Sequence, residues 1–190
     1  MIEVKRETKE TQISVKLNLY GTGKADINTG VGFYDHMLEA FTKHAHIDLV
    51  VACRGDTHID DHHTVEDIAI VIGQALKKAI YPVQSIERFG NATVVMDEAS
   101  ITCDIDLSNR GYLVFELPIG GKVGDFDVEL VEEFFKAFAF NLPLTLHLIY
   151  NRGKNKHHII EGAFKALAVA LRRAVTPNEN AGIPSTKGVL

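Results

Sequence analysis

Residues 62–66 read His-His-Thr-Val-Glu, and residues 157–161 read His-His-Ile-Ile-Glu. In each copy the first histidine and the glutamate are four residues apart, so on a helix they share one face and can bind one ion. The second histidine is turned by about 100° around the helix, away from that ion. A single copy could be an ordinary polar helix start. Two copies in matching contexts indicate two metal ions.

The secondary structure predicted around the two motifs repeats in the same order. Strictly alternating apolar residues predict strands at 12–19 and 100–107. The remaining strands are predicted at 2–8, 24–28, 47–52, 92–97, 112–117 and 144–150, and the helices at 34–45, 62–80, 127–140 and 157–175. Each half is then strand-strand-strand-helix-strand-helix, which indicates an internal duplication of about ninety residues. We expect an α+β fold with halves 1–88 and 89–176 packed as one globular unit, and an irregular tail at 177–190.

The composition and net charge restrict the class of protein to which the chain can belong. The chain has 190 residues, 46% hydrophobic and 24% charged, which is typical of a globular protein with a sizeable core. A net charge of −5 argues against a broad nucleic-acid surface. Two isolated cysteines indicate a reducing compartment. The chain has no apolar signal region and no run long enough to span a bilayer, so we expect a cytoplasmic protein with no membrane or nucleic-acid partner.

Alignment of the two halves adds two candidate ligands. His36 and Glu133 occupy equivalent positions in the first helix of their halves, ahead of each motif. Helix geometry then predicts two ligand sets, which are His36, His63, His157 and Glu161 for one ion and His62, Glu66, Glu133 and His158 for the other. Four protein ligands leave two octahedral positions open for substrate or water, as in catalytic rather than closed structural sites.

A few basic residues could bind an anion beside the metal. Lys165 lies one helical turn beyond Glu161 and extends the same face, so it could hold an anionic group while the metal holds the rest of the molecule. Arg88 and Arg110 fall in predicted loops and could bind phosphate through two N–H groups each. Taken alone, each of these residues is more often simply solvated. No P-loop, dinucleotide-binding fingerprint or nucleophile elbow is present.

Longer stretches around the two motifs resemble a known family. Residues 59–68 (IDDHHTVEDI) and 153–165 (GKNKHHIIEGAFK) are similar to the two signatures of imidazoleglycerol-phosphate dehydratases, and residues 29–38, 96–99, 106–110 and 183–188 match as well. The resemblance implies metal-dependent dehydration of D-erythro-imidazole glycerol phosphate to imidazole acetol phosphate in histidine biosynthesis. It implies two Mn²⁺ ions per active site and a homo-oligomeric shell of twenty-four subunits built from trimers, with active sites between subunits. It also implies halves of the ribosomal protein S5 domain 2-like type, each a four-stranded sheet with two helices on one face.

The resemblance assigns roles residue by residue. It implies metal ligation by His36, His62, His63, Glu66, His157, His158 and Glu161. It implies phosphate binding by Arg88, Arg110, Lys165, Ser185 and Lys187, and substrate contact by Glu10 and His44. Family members commonly carry a histidine where this chain has Glu133, which is itself a competent hard ligand. Because the reaction removes a carbon-bound proton beside the imidazole, Glu10 is the candidate acid or base.

Two functions of other classes would use the same ligands. A metal-dependent assembly or storage protein would need no anion-binding residues at a fixed distance from the metal, and the basic set argues against it. A dinuclear hydrolase would use the open metal positions for bound hydroxide and would release phosphate from phosphoesters. A dehydratase would not release phosphate.

Overall fold

In the computed structural model, which describes all 190 residues, each half forms one four-stranded sheet. The first half consists of β1 (Ile2–Glu7), β2 (Thr11–Asn18), β3 (Ala25–Asn28), α1 (Gly32–Ala45), β4 (Asp48–Gly55) and α2 (His62–Ile80). The second consists of β5 (Phe89–Met96), β6 (Ala99–Asp106), β7 (Tyr112–Glu116), β8 (Lys122–Val123), β9 (Phe126–Asp127), α3 (Glu129–Asn141), β10 (Thr145–Arg152) and α4 (Lys156–Ala174). A short 3₁₀ helix, Glu179–Ala181, lies in the tail.

The two sheets have the same topology. Their strand orders are β1-β2-β4-β3 and β5-β6-β10-β7, which become identical when the halves are aligned. The pairs β3–β4 and β7–β10 are parallel, and the others are antiparallel. A parallel pair requires a crossover, and α1 and α3 supply it in their respective halves. The predicted duplicated α+β fold is confirmed.

The helices pair across the halves. Alternate residues of β2 and β6 are buried, so each sheet has one apolar face, and that face packs on the helices of its own half. Helix α1 also packs against α4, and α2 packs against α3. The first helix of each half therefore faces the motif-bearing helix of the other half. This exchange brings residues of the two repeats together.

Close packing between the helices rests on aromatic side chains and on one glycine. The Phe134 and Phe164 ring centroids are 4.7 Å apart, which joins α3 to α4. Gly73 lies where α2 crosses α3, and a β-carbon there would lie 2.9 Å from Asn141 Cβ and 3.1 Å from the Phe138 carbonyl oxygen. Only glycine allows the two helices to approach so closely.

Some elements differ from the prediction. The hairpin β8–β9 was not predicted, because strands of two residues are too short to show a periodicity. It lies beside α1, where Phe126 packs against Phe33 with centroids 5.1 Å apart. Strand β5 begins at Phe89, earlier than predicted. No helix is long and apolar enough to cross a membrane. The boundaries of the halves and their behaviour as one unit stay predictions.

Candidate metal and anion site

One cluster of metal-ligating atoms joins the two halves. His36 of α1 and His157 and Glu161 of α4 each offer a ligand atom within 4.8 Å of the others. Glu161 Oε2 lies 3.2 Å from His157 Nε2 and 3.5 Å from His36 Nε2. The i, i+4 geometry predicted for the second motif and the convergence of His36 on it are both present in the structure.

Glu161 is a buried carboxylate surrounded by cationic groups. Its side chain is 7% exposed, and Oε1 accepts a bond of 2.6 Å from Lys165 Nζ. Burial raises the pKa of the Glu161 carboxyl, but Lys165, His36 and His157 outweigh that effect and hold the pKa below its usual value. Two imidazoles and one anionic carboxylate form a donor set that suits a divalent transition-metal ion such as Mn²⁺. The residues present therefore fit the implied metal.

A side-chain hydrogen bond to the backbone N–H of the first histidine holds each motif at the start of its helix. The Asn155 side chain accepts hydrogen bonds from the backbone N–H groups of His157 and His158, which caps α4. Helix α2 has no side-chain cap at its N-cap residue, Asp61, but the side chain of the preceding Asp60 accepts from the His62 backbone N–H at 2.8 Å. Both motifs thus project from the first turn of a helix.

The equivalent cluster in the other pair of helices is less complete. His62 Nε2 lies 3.9 Å from Glu66 Oε2 on α2, as the i, i+4 spacing predicts. Glu133 of α3 does not form a three-ligand group with them. Its carboxylate instead lies 3.8 Å from Lys136 Nζ. Ligation by Glu133 stays a prediction.

The middle histidines face different partners, as predicted from their angle on the helix. His63 Nδ1 lies 3.0 Å from Asp56 Oδ2, and its Nε2 lies 3.8 Å from Glu10 Oε1. His158 Nδ1 lies 2.8 Å from Glu98 Oε2. These carboxylate contacts raise the pKa of both imidazoles. Within one chain neither His63 nor His158 joins the His36 cluster, so their assignment to the opposite ligand sets stays a prediction.

His44 and Lys165 continue the cluster along α1 and α4. His44 is half-buried, and burial together with the nearby charges of Lys165 and Arg172 lowers the pKa of its imidazole. The backbone carbonyl of His44 accepts a hydrogen bond of 3.1 Å from Arg172. The Lys165 ammonium lies against Glu161 Oε1 at 2.6 Å, so an anionic group that binds Lys165 would lie directly beside the cluster.

The other predicted anion-binding residues line a separate cavity of about 730 Å³. Arg88, Arg110, Ser185 and Lys187 all contribute to its wall. Asp106 holds Arg88 through Nε at 2.7 Å and Nη2 at 3.1 Å, and Arg88 Nη1 donates to the Pro184 carbonyl at 2.6 Å. A guanidinium has five N–H groups, so those left on Nη1 and Nη2 remain for an anion.

The cavity lies far from the metal cluster of the same chain. The Arg88 backbone N–H donates to the Ala174 carbonyl at the end of α4. Glu161 and Ala174 are thirteen residues apart in α4, which corresponds to about 20 Å of helix. One small phosphorylated molecule cannot span this distance, so a single chain does not unite the Glu161 cluster and the Arg88 cavity around one substrate.

Comparison with known proteins decides the family. A profile of the family described as imidazoleglycerol-phosphate dehydratase matches residues 29–171. This chain belongs to the imidazoleglycerol-phosphate dehydratase family. An imidazoleglycerol-phosphate dehydratase of Sulfurovum sp. (strain NBC37-1) is 88% identical over 190 residues and covers all of both chains. That of Aliarcobacter butzleri (strain RM4018) is 67% identical over the same full length.

Solved structures of imidazoleglycerol-phosphate dehydratases share the fold. The enzyme of Staphylococcus aureus subsp. aureus N315 is 42% identical, with a TM-score of 0.83 over 93% of this chain and 99% of that one. The enzyme of Pyrococcus furiosus, solved in complex with (S)-C348, is 38% identical, with a TM-score of 0.87 over 98% of this chain and 100% of that one. The family and the hydro-lyase class predicted from the sequence are confirmed.

Sequence reasoning assigned no role to two acidic residues that contact site residues. Asp56 contacts His63 from the end of β4, and Asp106 holds Arg88 from the end of β6. Asp106 lies in a stretch that matches the family, residues 106–110, which was a usable signal. Asp56 is an isolated acidic residue in a loop before the motif, and nothing in the sequence distinguishes it.

Proposed function

We propose that this chain catalyses dehydration of D-erythro-imidazole glycerol phosphate to imidazole acetol phosphate and uses two Mn²⁺ ions per active site. Membership of the family makes the chain a lyase of histidine biosynthesis. The observation that carries the metal-dependent part is the cluster of His36, His157 and Glu161, which two helices from different repeats bring within 4.8 Å.

The chain would hold the ions through residues already described. His36, His157 and Glu161 would form one half-site, and His62 with Glu66 the other, to which Glu133 would add a carboxylate. His63 and His158 would complete the two sets. When bound, the ions supply Lewis acidity and a template for the imidazole ring. The side-chain hydrogen bonds from the backbone N–H groups of His157 to Asn155 and of His62 to Asp60 orient both motifs before any ion binds.

Proton transfer falls to Glu10 in this proposal. Its side chain is 52% exposed and accepts no hydrogen bond from the protein, so it is free to approach a substrate. Its nearest partner, His63 Nε2 at 3.8 Å, places it beside a proposed ligand. General acid or base groups of this kind contribute about 10²–10⁴-fold to the rate. Lys165, and the cavity lined by Arg88, Arg110, Ser185 and Lys187, would hold the phosphate.

The separation of the two sites supports a homo-oligomer. Because the Arg88 cavity and the Glu161 cluster lie about 20 Å apart along α4, a small substrate can meet both only if they come from different chains. We infer that the active site forms between subunits. The shell of twenty-four subunits built from trimers, and a cytoplasmic location, belong to this proposal as implied by the family resemblance.

The test is product formation after chelation and metal add-back. We expect imidazole acetol phosphate to appear only when Mn²⁺ is restored. Glu10→Gln is expected to lower turnover by about 10²–10⁴-fold with unchanged metal content. Glu7→Gln, an exposed glutamate on β1, is the matched control and should keep wild-type turnover. Near-normal turnover in Glu10→Gln would remove Glu10 from the mechanism.

The same assay separates the two alternative functions. Release of phosphate from phosphoesters, without imidazole acetol phosphate, would indicate the dinuclear hydrolase. Tight metal binding with neither product would indicate a storage or assembly role, and the proposed dehydration would then be wrong for this chain.

A further inference from the structure

The middle histidine of each motif has one ring nitrogen held by a carboxylate. In His63 this is Nδ1, 3.0 Å from Asp56 Oδ2, and in His158 it is also Nδ1, 2.8 Å from Glu98 Oε2. In both histidines the other nitrogen, Nε2, faces away from these partners. A neutral imidazole has one donor and one acceptor nitrogen, and a carboxylate can only accept. Nδ1 must therefore be the donor in each ring.

The two carboxylates come from different places in the repeat. Counting back from each motif, Asp56 corresponds to Asn151, whose side chain bonds Thr102 at 2.9 Å instead of the motif. Glu98 instead corresponds to Glu10, because each lies three residues before the first alternating apolar residue of its half. The same task is thus performed by non-equivalent residues in the two halves.

As a result, the Glu98 carboxylate is held by hydrogen bonds, whereas the Glu10 carboxylate is not. Glu98 uses both oxygens, since Oε1 accepts from the Lys154 and Asn155 backbone N–H groups at 3.1 and 2.8 Å while Oε2 accepts from His158. The Glu10 carboxylate accepts no hydrogen bond; it lies 3.8 Å from Nε2 of His63, and Asp56 holds Nδ1 of that ring. The three hydrogen bonds hold the Glu98 carboxylate in place. The Glu10 carboxylate has no such bonds and can move toward a substrate.

Asp56 has a further property that suits this role. Its side chain is 12% exposed, and its second oxygen, Oδ1, is buried without a hydrogen-bond partner. The His63 ring is therefore the only side chain that compensates this buried carboxylate. Loss of the Nδ1–H bond would leave a nearly buried charge unpaired, which is costly, so the bond strongly selects one tautomer.

We propose that Asp56 and Glu98 are positioning residues that fix His63 and His158 as Nδ1–H tautomers, with the Nε2 lone pair free for an ion, and that Asp56 in doing so frees Glu10 for proton transfer. The ion-binding part rests on the proposed function. Carboxylates that accept from the second nitrogen of a metal-bound histidine orient the ring and raise its basicity. Their removal typically weakens metal binding about 10–100-fold.

The first readout is the ring-nitrogen ¹⁵N NMR spectrum of the metal-free protein at about pH 9, above the usual histidine range. We expect the Nδ1–H signature for His63 and His158 in the wild type. Asp56→Leu should convert His63 to a tautomer mixture, and Glu98→Leu should do the same for His158. Glu10→Leu is the control, because Glu10 is the equivalent of Glu98 in the first half, and it should leave the tautomer of His63 unchanged. Asp56→Ala removes the acceptor with a smaller side chain and serves if the leucine variant does not fold, whereas asparagine would keep an acceptor oxygen.

The second readout is Mn²⁺ affinity measured by titration. Asp56→Leu and Glu98→Leu should each bind Mn²⁺ about 10–100-fold more weakly, while Asp104→Asn, an exposed acid on β6, should bind normally. An unchanged Nδ1–H signature in Asp56→Leu, or a His63 signal that moves in Glu10→Leu, would overturn the inference. Because the spectra need neither substrate nor metal, failure of the dehydration assay would not affect this result.

Discussion

Replacement of Lys165 by methionine tests whether the buried Glu161 carboxylate depends on its cation. Lys165 Nζ lies 2.6 Å from Glu161 Oε1, and the two side chains are 23% and 7% exposed. Methionine keeps most of the length and the apolar stem but removes the charge. We expect the metal-free variant to be less stable than the wild type at pH 7.

The magnitude follows from the burial of the pair. Removal of one partner of a fully buried ion pair costs about 3–5 kcal/mol. Lys165 retains some solvent contact, and His36 and His157 remain 3.5 and 3.2 Å from Glu161 Oε2 when Lys165 is replaced. We therefore expect a loss of about 1–3 kcal/mol in the free energy of unfolding.

The pKa of Glu161 predicts how the stability difference between wild type and Lys165→Met changes with pH. Burial raises the Glu161 pKa, but the bond and charge of Lys165, with His36 and His157, leave it below the usual value. A lowered pKa in the folded state stabilises the protein above the unfolded pKa of about 4.3, and this contribution is lost as the pH falls through the folded pKa. The difference between wild type and Lys165→Met should therefore be full at pH 7 and shrink below about pH 4.

The assay is denaturant unfolding with chelator at fixed protein concentration, because oligomerisation makes stability concentration-dependent. Lys136→Met is the matched control, since Lys136 is 59% exposed and only 3.8 Å from Glu133. It should cost less than about 0.5 kcal/mol. A Lys165→Met variant as stable as Lys136→Met at pH 7 would refute the dependence of Glu161 on its cation.

Three further predictions concern the fold and the tail. The backbone N–H groups of Thr22 and Lys24 lower the pKa of Asp48 to about 2, so the difference in melting temperature between wild type and Asp48→Asn should be present at pH 7 and lost between about pH 4 and pH 2. Gly73→Ala should lose about 1–3 kcal/mol in thermal unfolding because its β-carbon would meet α3, whereas Gly120→Ala, with open space around it, should be nearly neutral; equal effects would contradict this. In Arg88→Lys, the lysine cannot pair with Asp106 through two N–H groups while it also donates to the Pro184 carbonyl. Limited proteolysis should therefore cut residues 177–190 faster than in the wild type, and an unchanged rate would count against this contact.

Repetition made much of the fold predictable. The two motifs, and the alternation at Ile13–Leu17 and Ile101–Ile105, are enough to identify the halves and most of their elements. These are local patterns, since a strand has a period of two residues and a helix a period of 3.6. Hairpin β8–β9 cannot be predicted in this way, because each of its strands has only two residues, a single period with no repetition.

The i, i+4 pairs of both motifs also followed from the sequence, because helix geometry alone places His157 beside Glu161 and His62 beside Glu66. The repeat alignment selected His36, and the structure brings it to Glu161. The same alignment selected Glu133, which the structure leaves beside Lys136. Equivalent positions in a repeat share a place on the backbone, but side-chain partners depend on local charge.

The sequence by itself thus determined the repeat, the element types and the face on which each candidate ligand lies, because these depend on periodicities within one helix or strand. Only the tertiary structure decided that α1 meets α4, that Asp56 rather than Glu10 holds His63, and that Arg88 is held by Asp106 near the C-terminal end of α4, away from Glu161. These contacts join residues far apart in the chain. They depend on how the sheets and helices pack, which no local pattern encodes.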